Sequence, residues 1–151
     1  LIGKLEKGHT RTQEIFAGLT PEQWEHVVYA EPYPWKVKNL LAHFLSAEEN
    51  LLLVAQSIAA GGEGAHAGLN YDGFNAVEVQ RLSSWTPAEL LSALSAARQA
   101  TLDWLRTLSD ADLRTVGRHP ALGEITLEIM ITAIYGHQLL HMRELMASLR
   151  G

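Results

Sequence analysis

The stretch "EPYPWKVKNLLAHFLSAEENLLLVAQSIAAGG" constrains the fold more than any other part of the chain. Prolines at 32 and 34 mark its entrance, and Gly61 and Gly62 mark its end. Between them Leu40, His43, Ala47, Asn50 or Leu51, Val54 and Ile58 form one stripe at helical spacing. "LLLV" at 51–54 is apolar nearly all round the helix. Such a helix lies at the centre of a bundle or at a subunit interface, so Leu51–Val54 motivates the expectation of a homodimer.

Three further long segments carry the same periodicity. The first runs from about Ile2 to Leu19, with Ile2, Leu5, His9, Thr12 and Phe16 on one stripe. "TPEQW" follows: Thr20 can cap, Pro21 can take the first helical position and Gln23 can close a capping box, which predicts a short helix through about His26. "TPAEL" repeats that logic with Thr86, Pro87 and Glu89. It opens a long helix to about Leu108 through Leu90, Leu94, Ala97, Thr101 and Trp104. The last runs from about Ile125 to Leu149, its stripe including Met130, Ile134, His137 and His141. Between the second and third long helices a Gly- and Ala-rich loop leads to a short helix over Gly73–Leu82, capped by Asp72. "SDAD" offers a helical turn at 110–113, and "RHPALGE" reads as a connector. No stretch alternates strictly enough to predict a strand. The expectation is a single all-α domain over residues 1–151: a four-helix bundle with a long crossover connection and short accessory helices.

Composition narrows the function. A chain of 151 residues that is 47% apolar suits one folded domain. With 17 acidic against 12 basic side chains, a formal charge of -5, it lacks the basic surface that grips phosphate backbones, so no nucleic-acid partner is expected. The absence of cysteine excludes disulfides, thiolate zinc sites, iron–sulfur clusters and a cysteine nucleophile. No stretch approaches the roughly 20 apolar residues that cross a membrane, and "LIGKLEKGHT" lacks a signal-peptide pattern. The default is a cytoplasmic protein without a membrane partner.

The chemistry concentrates in "YGHQLLHMREL", residues 135–145. Residues four apart on a helix differ by about 40° in direction, so His137 and His141 share a face. Two imidazoles on one face can converge on an ion at about 2.0–2.1 Å, but a tight site needs a third donor. His43, on the inward stripe of the second long helix, is the natural one. Three protein ligands leave a position for water or substrate, the arrangement of a catalytic site. The competing reading is three hydrogen-bonded core histidines, and spacing alone leaves both open. A zincin helix would need Glu after the first histidine, and Gln138 stands there. A ferritin-like di-iron centre needs two Glu-x-x-His motifs, and Glu6-x-x-His9 has no second copy.

"YPWKVKNLLAHFLSAEEN" resembles the second-helix signature of the DinB-like metalloprotein superfamily, and "HPALGEITLEIMITAIYGHQLLHMREL" is similar to its final helix with a His-x-x-x-His pair. "NYDGFNAVEVQRLSSWTPAELLSAL" resembles the DinB_2 and DfsB-type branch, in which an aromatic–Asn pair opens the middle region. Lys36 departs from the pattern, standing where a Ser or Thr cap is common. The resemblance implies a four-helix bundle, often dimeric, holding a divalent ion through His43, His137 and His141. That ion would be nickel or zinc, with manganese or iron as alternatives. It also implies a small-molecule substrate and either hydrolysis or thiol-dependent transfer or isomerisation, with a bacillithiol- or mycothiol-type cosubstrate.

Around the triad, Trp35 can wall a pocket or pack the helix entrance. Asn50 shares the face of His43 and can line a cavity or bond to backbone. Phe74 and Asn75 can cover the open end of the bundle. His9 can serve as a fourth ligand, a proton shuttle or a structural residue. Glu48 and Glu49 point away from the face of His43 and read as solvated. The expected function is a metal-dependent hydrolase or thiol-dependent S-transferase or isomerase acting on a small electrophile. The rival is a non-catalytic binding or stress-response bundle with a structural or vestigial metal site.

Overall fold

Helix starts follow the caps written in the sequence. In the structure, a computed structural model describing residues 1–151, the first helix is α1 (Ile2–Ala17). Thr20 accepts from the Gln23 backbone N–H and the Gln23 side chain accepts in return from that of Thr20, so the capping box opens α2 (Pro21–Trp24). Two short strands, β1 (Val27–Tyr29) and β2 (Trp35–Lys36), precede α3 (Val37–Ala59). Lys36 cannot cap that helix, but the Asn39 side chain accepts from its backbone N–H at 2.8 Å. After α4 (Tyr71–Arg81), Thr86 and Glu89 box the start of α5 (Pro87–Leu105), and Ser109 caps α6 (Asp110–Leu113). A hairpin of β3 (Val116–His119) and β4 (Gly123–Thr126) leads into α7 (Leu127–Arg150), which Thr126 caps.

Three sequence expectations need correction. Asn70, not Asp72, caps α4: its side chain accepts from the Gly73 N–H at 3.1 Å, and the helix starts at Tyr71. Asp72 falls in the first turn, where a negative charge still favours the helix dipole. The chain also contains two antiparallel two-stranded ribbons, β1–β2 and β3–β4. Strands of two to four residues are too short to show alternation, so periodicity misses them. "RHPALGE" is therefore the tip of a hairpin, its turn and the strand ends beside it, registered from Val116 opposite Thr126 to His119 opposite Gly123. Gly117 lets that hairpin lie flat on α3, because a Cβ there would stand 2.3 Å from Ile58.

The core divides into two apolar clusters. One gathers Phe16 from the end of α1, Val37, Leu40, Leu41, Ala42, Phe44 and Leu45 from the start of α3, Leu90 and Leu94 from the start of α5, and Met142 and Leu145 from late α7. The other gathers Leu5, Leu51, Ala55, Ile58, Leu102, Leu105, Leu127 and Met130, taken from the opposite ends of the same helices. Hence α1 and α7 run one way and α3 and α5 the other. Both α1 and α3 pack against α5 and α7, and α4 lies along α3. The link through α4 is the long crossover, since α3 and α5 run in the same direction. The all-α four-helix bundle expected from the sequence is the observed fold.

Between the clusters lies a buried polar waist. Arg98 of α5 meets the Glu48 carboxylate of α3 in a two-pronged pair, Nε and Nη2 each at 2.8 Å, both side chains essentially free of solvent. Arg98 also donates to the Leu5 carbonyl of α1 at 2.8 Å and to Gln138 Oε1 of α7 at 3.1 Å. Thr101 and Gln138 donate to the same carboxylate. All four long helices thus meet at one ion pair. Glu48 is fully buried, which corrects its reading as a solvated residue. It does point away from His43, but α3 packs on α5 as well as α7, and every residue from Leu40 to Ser46 is buried. Glu49 is about half exposed, 3.6 Å from Arg81.

Candidate metal centre

His43 sits in the second turn of α3, beside the middle turns of the antiparallel α7 that carry His137 and His141. The structure brings these three together. His43 Nε2 lies 2.9 Å from His137 Nε2, which lies 3.1 Å from His141 Nε2. The rings stand nearly perpendicular in pairs, at 77°, 87° and 88°, with centroids 4.6–5.4 Å apart. One nitrogen from each lies within 4.8 Å of one from every other.

Burial sets the charge of the cluster. His43 is pushed down to about 3, first by desolvation and then by its two histidine neighbours. His137 falls to about 4, by desolvation first and then by His141 and His119. His141 is lowered by burial too, against the opposing pull of Glu144. The triad is therefore a neutral set of imidazoles with lone pairs to offer.

This donor set fits a divalent transition ion. Neutral imidazole suits zinc, nickel, iron and copper rather than magnesium or calcium. Two nitrogens each about 2.0–2.1 Å from one ion stand about 2.9 Å apart at a right angle and about 3.4 Å apart at the tetrahedral angle, which brackets the two spacings made by His137. The Nδ1 of His43 has no hydrogen-bond partner despite its burial, and neither has Ser46 Oγ one turn on.

Two aromatic walls come from the β1–β2 ribbon. Trp35 packs on His43 with centroids 5.2 Å apart, and Tyr29 meets His141 edge-on at 5.7 Å. Phe44 closes the inner side against His137 and His141. Of the other sequence candidates, Asn50 turns its amide to the Ser46 carbonyl at 2.8 Å, the backbone alternative. Phe74 and Asn75 are half-buried on α4, and the rings beside the triad do not include Phe74. His9 lies outside the cluster, 3.1 Å from Ser95 Oγ, and is lowered by burial and then by Arg98.

Sequence reasoning missed Tyr29 and Glu144. The hydroxyl of Tyr29 bonds to both His141 Nδ1 and the Glu144 carboxylate. Glu144 was within reach of the sequence, one turn after His141 at the i, i+3 spacing that lets side chains meet. Tyr29 carried no such signal, because a ribbon delivers it.

A model of the DinB superfamily matches residues 4–145. No curated protein matches the chain by sequence. Among solved structures it is similar to YfiT from Bacillus subtilis, described as a probable metal-dependent hydrolase with an unusual four-helix bundle topology. That match has a TM-score of 0.81 at 19% identity, over 99% of this chain and 83% of that one. It is also similar to a mycothiol-dependent maleylpyruvate isomerase, with a TM-score of 0.76 at 14% identity, over 95% of this chain but 58% of the isomerase. A DinB-like protein of Bacillus subtilis, YjoA, matches with a TM-score of 0.61 at 15% identity, over 99% of this chain and 89% of that one. At such identities the structures speak for the fold alone, and the family rests on the sequence match, which spans nearly the whole chain: this protein belongs to the DinB superfamily.

Proposed function

We propose that this protein holds one divalent metal ion on His43, His137 and His141 and is a metal-dependent hydrolase of a small electrophilic molecule. The observation that carries the reading is the convergence of three neutral Nε2 atoms inside a bundle that otherwise satisfies its buried polar groups nearly completely. Core histidines packed for their own sake direct their nitrogens to backbone or side-chain partners. A divalent ion held there supplies Lewis acidity, polarising an electrophile and lowering the pKa of a water or thiol that joins it. The chain's own residues do the rest. Trp35 and Phe44 fix the ring of His43 and keep bulk water from that side. Tyr29 stands at the rim of His141, where it can face a substrate.

A second reading has a specific support. The chain has no cysteine, so any sulfur nucleophile must arrive as a low-molecular-weight thiol of the bacillithiol or mycothiol kind. The fold shared with a mycothiol-dependent isomerase favours that route to transfer or isomerisation. Nickel and zinc head the list of ions for either reading. The proposal includes a cytoplasmic location and a homodimer. Leu53 remains the outward residue of its apolar stretch, 63% exposed, while Leu51 is core. No helix is long and apolar enough to cross a membrane.

The test is the metal content of untagged protein by mass spectrometry, beside His43→Ala and His137→Ala. Stoichiometric nickel or zinc in the wild type alone is the expected result. No ion even after soaking overturns the reading. Metal-loaded protein is then offered ester and amide electrophiles with and without thiols, and turnover that requires the thiol selects the second reading. Light scattering decides the dimer.

A further inference from the structure

The three histidines are held in different ways. His43 is packed between Trp35 and Phe44, and its Nδ1 has no partner. His141 has a more open setting, its side chain 20% exposed, and its Nδ1 is held by polar groups. The Tyr29 hydroxyl lies 2.5 Å from that nitrogen, and the Glu144 carboxylate lies 3.2 Å from it. Tyr29 and Glu144 also bond directly to each other.

The direction of these bonds follows from their chemistry. An ionised carboxylate has no proton to give, so Tyr29 is the donor to Glu144. With its one proton so used, the Tyr29 oxygen can only accept from His141. The Nδ1 of His141 must then be the protonated nitrogen, which leaves the lone pair on Nε2, the atom that faces His137. Without this pair of acceptors the imidazole is free to carry its proton on either nitrogen and to turn about its Cβ–Cγ bond.

We propose that Tyr29 and Glu144 are the positioning residues of the metal centre: together they fix the tautomer and ring orientation of His141 so that Nε2 is its donor atom. The proposal rests on the metal-binding reading above. Outer partners of this kind both orient a ligating histidine and raise its basicity. They also tie the site to the β1–β2 ribbon, since Tyr29 on β1 faces Trp35 on β2 with ring centroids 6.4 Å apart. One ribbon therefore braces His43 on α3 through Trp35 and His141 on α7 through Tyr29.

The experiment has two arms. Side-chain proton–nitrogen NMR spectra of the metal-free wild type, Tyr29→Phe and Glu144→Gln read the His141 tautomer. Competition for zinc against a chromogenic chelator reads affinity in the same three proteins, with Glu144→Asp as the conservative rescue. The expected wild-type state is His141 protonated at Nδ1. Tyr29→Phe removes one of the two accepting oxygens and Glu144→Gln supplies an amide that can donate, so the Nδ1-protonated form should lose ground in the first and mix with the other tautomer in the second. Zinc binding should weaken about 10–100-fold in both, with Glu144→Asp recovering part of it. His141 protonated at Nε2 in the wild type, or wild-type zinc affinity in both variants, overturns the proposal. If the wild type binds no zinc, the metal reading fails, and the tautomer in metal-free protein still decides the clamp.

Discussion

Gln138 and His137 are neighbours on α7, yet they serve clusters built on opposite terms. Gln138 belongs to the waist, where both oxygens of Glu48 are bound by two donors each and every polar atom of Arg98 has a partner. His137 belongs to a cluster in which three nitrogens of one kind face one another. A closed network leaves nothing for a ligand to do, whereas three like nitrogens that meet only one another, with His43 Nδ1 left without a partner, have lone pairs to offer one. Burial and polarity are common to both, so neither identifies a functional site. What separates them is whether donors and acceptors balance.

The largest effect should come from unbalancing the waist. Arg98→Met leaves the Glu48 carboxylate buried without its partner and should destabilise the protein by about 3–5 kcal/mol in urea unfolding. The double variant Glu48→Leu with Arg98→Met should recover most of that loss, because a buried pair replaced by apolar side chains is often neutral or stabilising. A single variant as stable as wild type would show that water reaches the waist. The triad should behave the other way. Zinc at about 100 times its Kd should stabilise the wild type by about 2.7 kcal/mol and His137→Ala by nothing, read as thermal shifts with and without metal.

Gln138→Glu sets the two clusters directly against each other. It writes H-E-x-x-H at residues 137–141, yet the new carboxylate would face Glu48 and Arg98 rather than the triad. The expected result is a loss of about 1–3 kcal/mol from the second buried acid, with no protease activity gained. The smallest effect should be that of Thr101→Val, which deletes one of four bonds to the Glu48 carboxylate at nearly constant shape. About 1 kcal/mol in urea unfolding is expected, with metal binding unchanged.

The triad could be read from the chain because each histidine lies on a helical stripe, and stripes survive in a single sequence. The bundle and two of its caps, Thr20 and Thr86, could be read for the same reason: a Thr-Pro-x-Gln or Thr-Pro-x-Glu start is local. Glu48 and Arg98 could not. Their burial depends on α3 being covered on both sides, a property of the assembled bundle and not of either helix. Arg98 also interrupts the stripe read through Ala97 and Thr101, where a cation next to the core looks solvent-facing. Tyr29 escaped because a three-residue strand has no period to detect, although its ring completes the setting of His141.

The waist has a bearing on how the protein comes apart. Arg98 reaches partners 50, 40 and 93 residues away in the chain, and Gln138 reaches Glu48 across 90. No local piece of chain can assemble this network, and a half-formed version holds desolvated charge without its counterpart. Its formation is therefore expected late, after the helices have found one another, as the step that locks their register. Contacts that form so late would be missing from the folding transition state. Substitutions at Glu48 or Arg98 should accordingly leave the refolding rate nearly unchanged and speed unfolding, which makes this ion pair the brake on the opening of the bundle.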